Sequence, residues 1–158
     1  MENPLVYLET SFVSYLVARP NRDLVVAAHQ NITQEWWVQR KDNFTLVISE
    51  AVLEESRRGD PDAATKRLEI LKDLPLVAIS EEALDFASNL IECNAVPKKA
   101  AQDALHIAVC CTNSVDFLLT WNCKHIANAE KREHIAQVAN RHGYHSPVIC
   151  TPEELLGE

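Results

Sequence analysis

Four oxygen-bearing side chains lie near the ends of the apolar runs or the starts of the helices that the sequence predicts. They are Glu9, Glu54, Asp103 and Asn122. Magnesium and manganese ions prefer oxygen ligands, and two such ions about 3.5 to 4 Å apart can stabilise both the attacking and the leaving oxygen of a phosphodiester. Carboxylates that are far apart in sequence but close in the fold are therefore candidates for metal-dependent phosphodiester hydrolysis.

Asp103 is the candidate whose surroundings are most informative. It lies between Ala100-Ala101 and the apolar stretch 104–111 of a predicted buried helix. Burying a lone carboxylate is costly, so a metal or another cation should compensate its charge, although a structural ion pair would do the same. Glu50 and Glu55 are interpreted as ordinary acids near a helix start, which complement the helix dipole or stay solvated.

Short apolar runs alternate with helical patterns along the whole chain. Strands are predicted at 5–8, 44–48, 76–79, 117–120 and 148–150, and helices near Phe12 and at 22–41, 50–58, 62–72, 80–93, 98–112, 126–141 and from Pro152. The strands are too short and too apolar to alternate, which favours a parallel sheet with helices on both faces. This order predicts an α/β fold.

The carboxyl ends of parallel strands meet at one edge of a sheet, and ligands bind there. Glu9 closes the first strand, and Asn122 follows the fourth. Glu54 and Asp103 lie early in two helices and could point back to the same edge. We therefore expect the four side chains to converge.

Composition and charge limit the alternatives. The 158 residues, 47% hydrophobic and 24% charged, predict a single globular domain spanning 1–158. Three glycines are too few for a Rossmann or Walker A phosphate loop. A net charge of -8 is the opposite of a broad nucleic-acid footprint, so any nucleic-acid contact must be local or metal-assisted.

The cysteines and the N-terminus indicate a cytoplasmic protein. The five cysteines show no C-x-x-C spacing, so neither a disulfide framework nor a zinc site is expected. The N-terminus lacks a basic signal region, and the longest uncharged stretch, 104–115, is shorter than the roughly 20 residues that span a bilayer. No membrane association is predicted.

Four sequence motifs carry a resemblance to a known family. They are YLETS at 7–11, Ser49 with Glu54, DALHIA at 103–108 and LTWN at 119–122. Together they resemble the successive motifs of PIN-domain proteins, most closely a VapC-like branch that includes toxins of type II toxin–antitoxin pairs. The resemblance implies a three-layer α/β/α sandwich with a central, mainly parallel sheet of four to five strands.

The resemblance also implies an activity. PIN-domain proteins of this branch are Mg²⁺- or Mn²⁺-dependent endoribonucleases, so an RNA substrate and an antitoxin protein are the implied partners. In the second predicted helix, one ring of Trp36-Trp37 can face the core while the other lies at an interface, which homodimerisation or antitoxin binding would use. The family's acids fall on Glu9, Glu54, Asp103 and Asn122, of which the first three would bind the metal. Glu9 stands where most relatives have Asp, and Asn122 is neutral, which leaves open whether one or two metals bind.

Other polar residues lie next to these candidates. Thr10, Ser11 and Thr120 could orient the carboxylates through hydrogen bonds. His106 follows Asp103 by three residues, so it is either a ligand, a proton carrier or a hydrogen-bonded core histidine. The pairs 57–58, 98–99 and 124–125 could form a locally basic rim for an RNA backbone, or stay solvated.

Two other functional classes remain to be weighed. A PIN-like module with weakened catalysis, which binds a protein or RNA partner, is compatible with the neutral Asn122 and the net charge of -8. A phosphatase with an aspartyl nucleophile is disfavoured, because Ser11 stands where that chemistry needs a second carboxylate.

Overall fold

A computed structural model describes residues 2–157 and shows a four-stranded, all-parallel sheet with the order β2-β1-β3-β4. The strands are β1 (Leu5–Leu8), β2 (Thr45–Val47), β3 (Phe117–Leu119) and β4 (Val148–Cys150). The helices are α1 (Thr10–Val17), α2 (Leu24–Arg40), α3 (Glu50–Ser56), α4 (Pro61–Leu71), α5 (Glu81–Glu92), α6 (Ala101–Thr112) and α7 (Ala129–Arg141), with 3₁₀ turns at Lys41–Asn43 and Lys98–Ala100. The predicted α/β class is confirmed.

β1 lies at the centre of the fold. Val6, Tyr7 and Leu8 are all fully buried. Since successive side chains of a strand point to opposite faces, burial of three in a row means that helices cover both faces of the sheet. The three layers thus have the arrangement that the PIN-like motifs predict.

The predicted strand at 76–79 is not a strand in the structure. An isolated bridge joins Ile48 to Leu76, with hydrogen bonds from Ile48 N to Pro75 O (3.1 Å) and from Val77 N to Ile48 O (2.8 Å). Only four residues separate Leu76 from α5, whose first turn is capped by the hydroxyl of Ser80. The segment is therefore too short to extend its pairing.

Two helix boundaries also differ from the prediction. The segment from Pro152 forms a hydrogen-bonded turn, not a helix, and its Leu155 carbonyl accepts from Trp36 Nε1 at 3.2 Å. α7 begins at Ala129 and not at Ile126. The residues before it form turns whose amides bond back to the Asn122 carbonyl, from Ile126 at 3.3 Å and from Ala127 at 2.8 Å. These turns fix the backbone at Asn122.

All five cysteines are free thiols. Within residues 2–157, none of the helices has the length and apolar composition needed to cross a membrane.

Candidate metal centre

The candidate site lies where the central strands β1 and β3 end. These strands pair in parallel with Leu8 opposite Leu119, and the Glu9 amide continues the ladder by donating to the Leu119 carbonyl at 3.1 Å. Glu9 follows β1 directly, and Thr120 and Asn122 follow β3. The structure therefore places these three residues at one edge of the sheet, as expected for parallel strands.

Hydroxyl groups surround the carboxylate of Glu9, which is 5% exposed. Its Oε1 accepts hydrogen bonds from Ser11 Oγ and from Thr120 Oγ1, the latter at 2.6 Å. Ser11 Oγ in turn accepts from the Trp121 amide at 2.8 Å. A buried carboxylate needs such donors, and these fix its orientation at the sheet edge.

Trp121 anchors the segment that carries Asn122. Its ring is stacked on His29 of α2, with centroids 4.1 Å apart, and its Nε1 donates to Thr33 Oγ1 at 2.7 Å. The Asn122 amide donates to Thr120 Oγ1 at 2.9 Å, and its side-chain Oδ1 accepts from the His125 amide at 3.1 Å. Both side-chain and backbone contacts therefore fix the position of residues 121–122 after β3.

Glu55 reaches the same site from α3. Its Oε1 accepts from Thr10 Oγ1 and lies at hydrogen-bond distance from His106 Nε2, each at 2.6 Å, and its side chain is 21% exposed. Burial raises the pKa of Glu55, but hydrogen bonds from His106 and Thr10 and the charge of His106 outweigh it, so the pKa lies below its ordinary value. Glu55 is therefore not the solvated helix-start acid that we expected from the sequence.

Glu54, the predicted second acid, lies outside this group of side chains. Its side chain is 63% exposed, and it forms an ion pair with Arg58 at 3.5 Å. Neighbouring helix residues point about 100° apart, so Glu54 and Glu55 cannot share a face. Glu55 follows the buried Ala51 and Val52 by four and three residues and lies on their face. This apolar spacing is the sequence signal that identifies Glu55.

Asp103 lies in the first turn of α6 and is half-buried. Burial raises the pKa of Asp103, a side-chain hydrogen bond from Asn122 lowers it, and the charge of Glu9 raises it further, with a net shift upward. The causes of this shift indicate that Asp103 lies near Glu9 and Asn122. Of the four predicted residues, Glu9 and Asn122 thus lie at the same sheet edge with Asp103 near them, whereas Glu54 does not lie there.

His106 is fully buried between two polar partners. Its Nδ1 lies 2.7 Å from the Tyr7 hydroxyl and its Nε2 lies 2.6 Å from Glu55 Oε1. Burial lowers the pKa of His106, but the bond to Glu55 and the charges of Glu9, Glu55 and Asp103 outweigh it and raise the pKa above its ordinary value. The histidine is hydrogen-bonded in the core and at the same time belongs to the candidate site.

The donor atoms fit a divalent cation. One ligand atom each from Glu9, Glu55 and His106 lie within 4.8 Å of one another. Two carboxylates close together attract a cation, and the oxygen-rich set, with Asp103 and Asn122 beside it, suits Mg²⁺ or Mn²⁺.

Part of the expected basic rim is already paired. Arg57 bonds to Glu50 at 3.2 Å, and Arg58 bonds to Glu54. Lys98, Lys99 and Lys124 are exposed.

Comparison with known proteins supports the fold. No family model matches the chain, and no curated protein matches it. Among solved structures, the chain is similar to a chain of VapBC2 from Rickettsia felis bound to a DNA fragment from their promoter, with a TM-score of 0.57 and 16% sequence identity. The match covers 93% of this chain and 98% of that chain. The two chains share a fold along almost their whole lengths.

Proposed function

We propose that this protein is a metal-dependent endoribonuclease of the PIN type, which hydrolyses phosphodiester bonds of RNA. The observation that supports this most strongly is the convergence of Glu9, Glu55, Asp103 and Asn122 at the carboxyl edge of the parallel sheet. Paired carboxylates at this edge are the arrangement that metal-dependent phosphodiester hydrolysis needs. The fold shared with a chain of VapBC2 adds to this support.

In this proposal Glu9, Glu55 and Asp103 hold Mg²⁺ or Mn²⁺, and Glu55 takes the place predicted for Glu54. A bound divalent cation would supply positive charge for the phosphate oxygens and favour the ionised form of a water. Asn122 completes the set as a neutral ligand or as a hydrogen-bond donor to Asp103.

The hydroxyl groups serve to orient the carboxylates. Thr120 and Ser11 donate to Glu9, and Thr10 donates to Glu55. Each donor holds a carboxylate oxygen in place without adding charge, so the attraction of the site for a cation is kept. Removing one donor should loosen the geometry without changing the charge of the site.

RNA would contact the protein locally, because the net charge of -8 opposes a broad phosphate-binding surface. The exposed Lys98 and Lys99 precede α6, and Lys124 follows Asn122, so all three lie near the site along the chain. We propose that these lysines contact the backbone phosphates of a single-stranded RNA substrate.

We also propose that the chain is a single domain, that it forms a homodimer, and that an antitoxin protein binds to it. Leu24 and Val25, at the start of α2, are 85% and 65% exposed, which is compatible with a protein partner at this helix. Light scattering after gel filtration of the isolated protein tests the dimer, and a monomeric mass would refute it.

The test of the activity is cleavage of a single-stranded RNA in the presence of Mg²⁺ or Mn²⁺ and of EDTA. Asp103→Asn and Glu55→Gln each remove one charge with little change in volume. We expect cleavage to be at least about 100-fold slower, which is the loss typical of removing a group that stabilises charge in the transition state. The matched controls Glu54→Gln and Glu50→Gln alter exposed acids of the same helix and should cleave within about twofold of the parent. Full activity of the first two variants would refute the proposal.

A non-catalytic PIN-like module that binds a partner is the second candidate. The neutral Asn122 and the net charge of -8 favour it. A calorimetric titration separates the two candidates, because a nuclease of this type must bind a divalent metal, whereas a binding module need not. If the parent protein binds neither Mg²⁺ nor Mn²⁺ at millimolar concentration, the binding module is the better description.

A further inference from the structure

We propose that His106 is itself a metal ligand through Nε2, that Tyr7 and Ser49 hold its ring for this purpose, and that the site consequently binds Mn²⁺ and Co²⁺ more tightly than Mg²⁺. This inference rests on the metal centre of the proposed function. It adds a nitrogen ligand to the carboxylates assigned there.

The position of Nε2 supports direct ligation. Nε2 lies 2.6 Å from Glu55 Oε1. One ligand atom each of His106, Glu55 and Glu9 lie within 4.8 Å of one another. A cation that contacts both carboxylates therefore lies beside Nε2 as well. Binding would replace the proton shared between Nε2 and Glu55 Oε1 by the cation, and this proton would leave to solvent.

The other ring nitrogen has the partner that a metal-ligating histidine requires. Such histidines donate their second N–H to a fixed acceptor, which orients the ring and leaves the other nitrogen free for the metal. His106 Nδ1 lies 2.7 Å from the Tyr7 hydroxyl, which lies 2.8 Å from Ser49 Oγ. Tyr7 can therefore accept from Nδ1–H and donate its own proton to Ser49.

This hydrogen-bonded chain is enclosed in the core. Tyr7, Ser49 and His106 are each 0% exposed. Ser49 is also the residue that precedes α3, yet its side chain makes no capping bond to that helix and faces Tyr7. A capping bond is the usual way in which a serine at this position stabilises a helix. The structure thus uses Ser49 for the support of Tyr7 and His106 and not for α3.

An imidazole ligand changes which metals are preferred. Mg²⁺ strongly prefers oxygen ligands and retains its waters, whereas first-row transition ions accept imidazole with affinities that rise from Mn²⁺ to Co²⁺. A site of these carboxylates and one buried histidine should therefore bind Co²⁺ and Mn²⁺ more tightly than Mg²⁺. A site of carboxylates alone would discriminate less.

The first experiment is pulsed electron paramagnetic resonance of the Mn²⁺-loaded protein. Direct ligation by an imidazole gives a ¹⁴N modulation of the Mn²⁺ echo. We expect this modulation in the parent and in His145→Gln, which alters an exposed histidine, and its loss in His106→Gln. Mn²⁺ bound without ¹⁴N modulation, or modulation that persists in His106→Gln, would overturn the inference.

The second experiment is calorimetric titration with Mg²⁺, Mn²⁺ and Co²⁺. The parent should bind Mn²⁺ at least about tenfold more tightly than Mg²⁺, and His106→Gln should reduce this ratio to about threefold or less. Tyr7→Phe keeps the ring volume but removes the acceptor of Nδ1, so it should weaken Mn²⁺ binding by about 10- to 100-fold. Unchanged Mn²⁺ affinity in Tyr7→Phe would refute the supporting role of Tyr7.

The two proposals fail in different ways. If neither metal binds, the metal centre and the proposed nuclease fail together. If Mn²⁺ binds and RNA is cleaved, but no nitrogen coupling is seen, His106 is not a ligand and the nuclease stands. The spectrum of the parent needs no variant, so a misfolded His106→Gln protein would not prevent a decision on the ligand.

Discussion

The charge interaction between Glu55 and His106 should stabilise the metal-free protein, and Glu55→Gln should remove this stabilisation. His106 is fully buried and Glu55 is 21% exposed on its side chain, so the pair is only weakly screened by water. Hydrogen bonds to charged groups contribute about 1.5 to 3 kcal/mol. Gln retains an acceptor at this position, so we expect a loss of about 2 kcal/mol, which corresponds to a decrease in Tm of roughly 5 °C for a chain of this size.

The loss of stability in Glu55→Gln should depend on pH, because the pKa values of both Glu55 and His106 are shifted in the folded protein. The pKa of Glu55 is lowered, so its stabilising charge is present above its ordinary pKa, about 4.3, and is lost as the pH falls through the folded value. The pKa of His106 is raised, so its stabilising charge is present below its ordinary pKa, about 6.5, and is lost as the pH rises through the folded value. The difference between parent and variant should therefore be largest between about pH 4.5 and 6.5.

Thermal melts in EDTA at several pH values measure this difference. Glu54→Gln is the matched control, because its exposed ion pair contributes at most about 1 kcal/mol and its charge change is identical. If Glu55→Gln and Glu54→Gln melt together at pH 6, or if their difference does not change between pH 6 and pH 9, the two side chains do not form a charged pair.

Three further outcomes follow from the site. Asp103→Asn should stabilise the metal-free protein at pH 7 by up to about 1 kcal/mol, because a raised pKa means that the ionised carboxyl destabilises the fold; a lower Tm in EDTA would contradict this. Asn122→Asp adds a negative charge beside the proposed metal ligands and should tighten Mg²⁺ binding by at least about tenfold in calorimetry. Two unit charges about 4 Å apart interact by about 4 kcal/mol at an effective dielectric constant of about 20, before desolvation is subtracted, and unchanged affinity would place Asn122 outside the metal's reach. Thr120→Val removes the 2.6 Å bond to Glu9 and should cost about 1 to 3 kcal/mol in denaturant unfolding, and an unchanged midpoint would show that this bond is not needed.

Local patterns in the sequence were sufficient to predict most of the fold. The first strand is found at Leu5–Leu8 as predicted, because four apolar residues in a row suit a central parallel strand. The predicted strand at 76–79 failed because apolar character alone does not show how much chain is free to pair. The start of α5 at Glu81 limits this segment to one bridge, and that limit depends on tertiary contacts.

The candidate site could be predicted only in part. Glu9 and Asn122 were found because strand ends of a parallel sheet meet at one edge. Glu55 was missed because two adjacent glutamates look alike until the buried face of α3 is identified from Ala51 and Val52. Tyr7 belongs to the YLETS motif but was not identified as a site residue, since a tyrosine in an apolar strand is typical of the core.

The candidate site is assembled from distant parts of the chain. Glu9 bonds to Thr120 across 111 positions, and Glu55 meets His106 across 51. No contiguous fragment shorter than this span contains the candidate site, so a nascent chain on the ribosome has no complete site until β3 has emerged and paired with β1. Whatever binds to the complete candidate site can therefore recognise only a chain whose central strands are already paired.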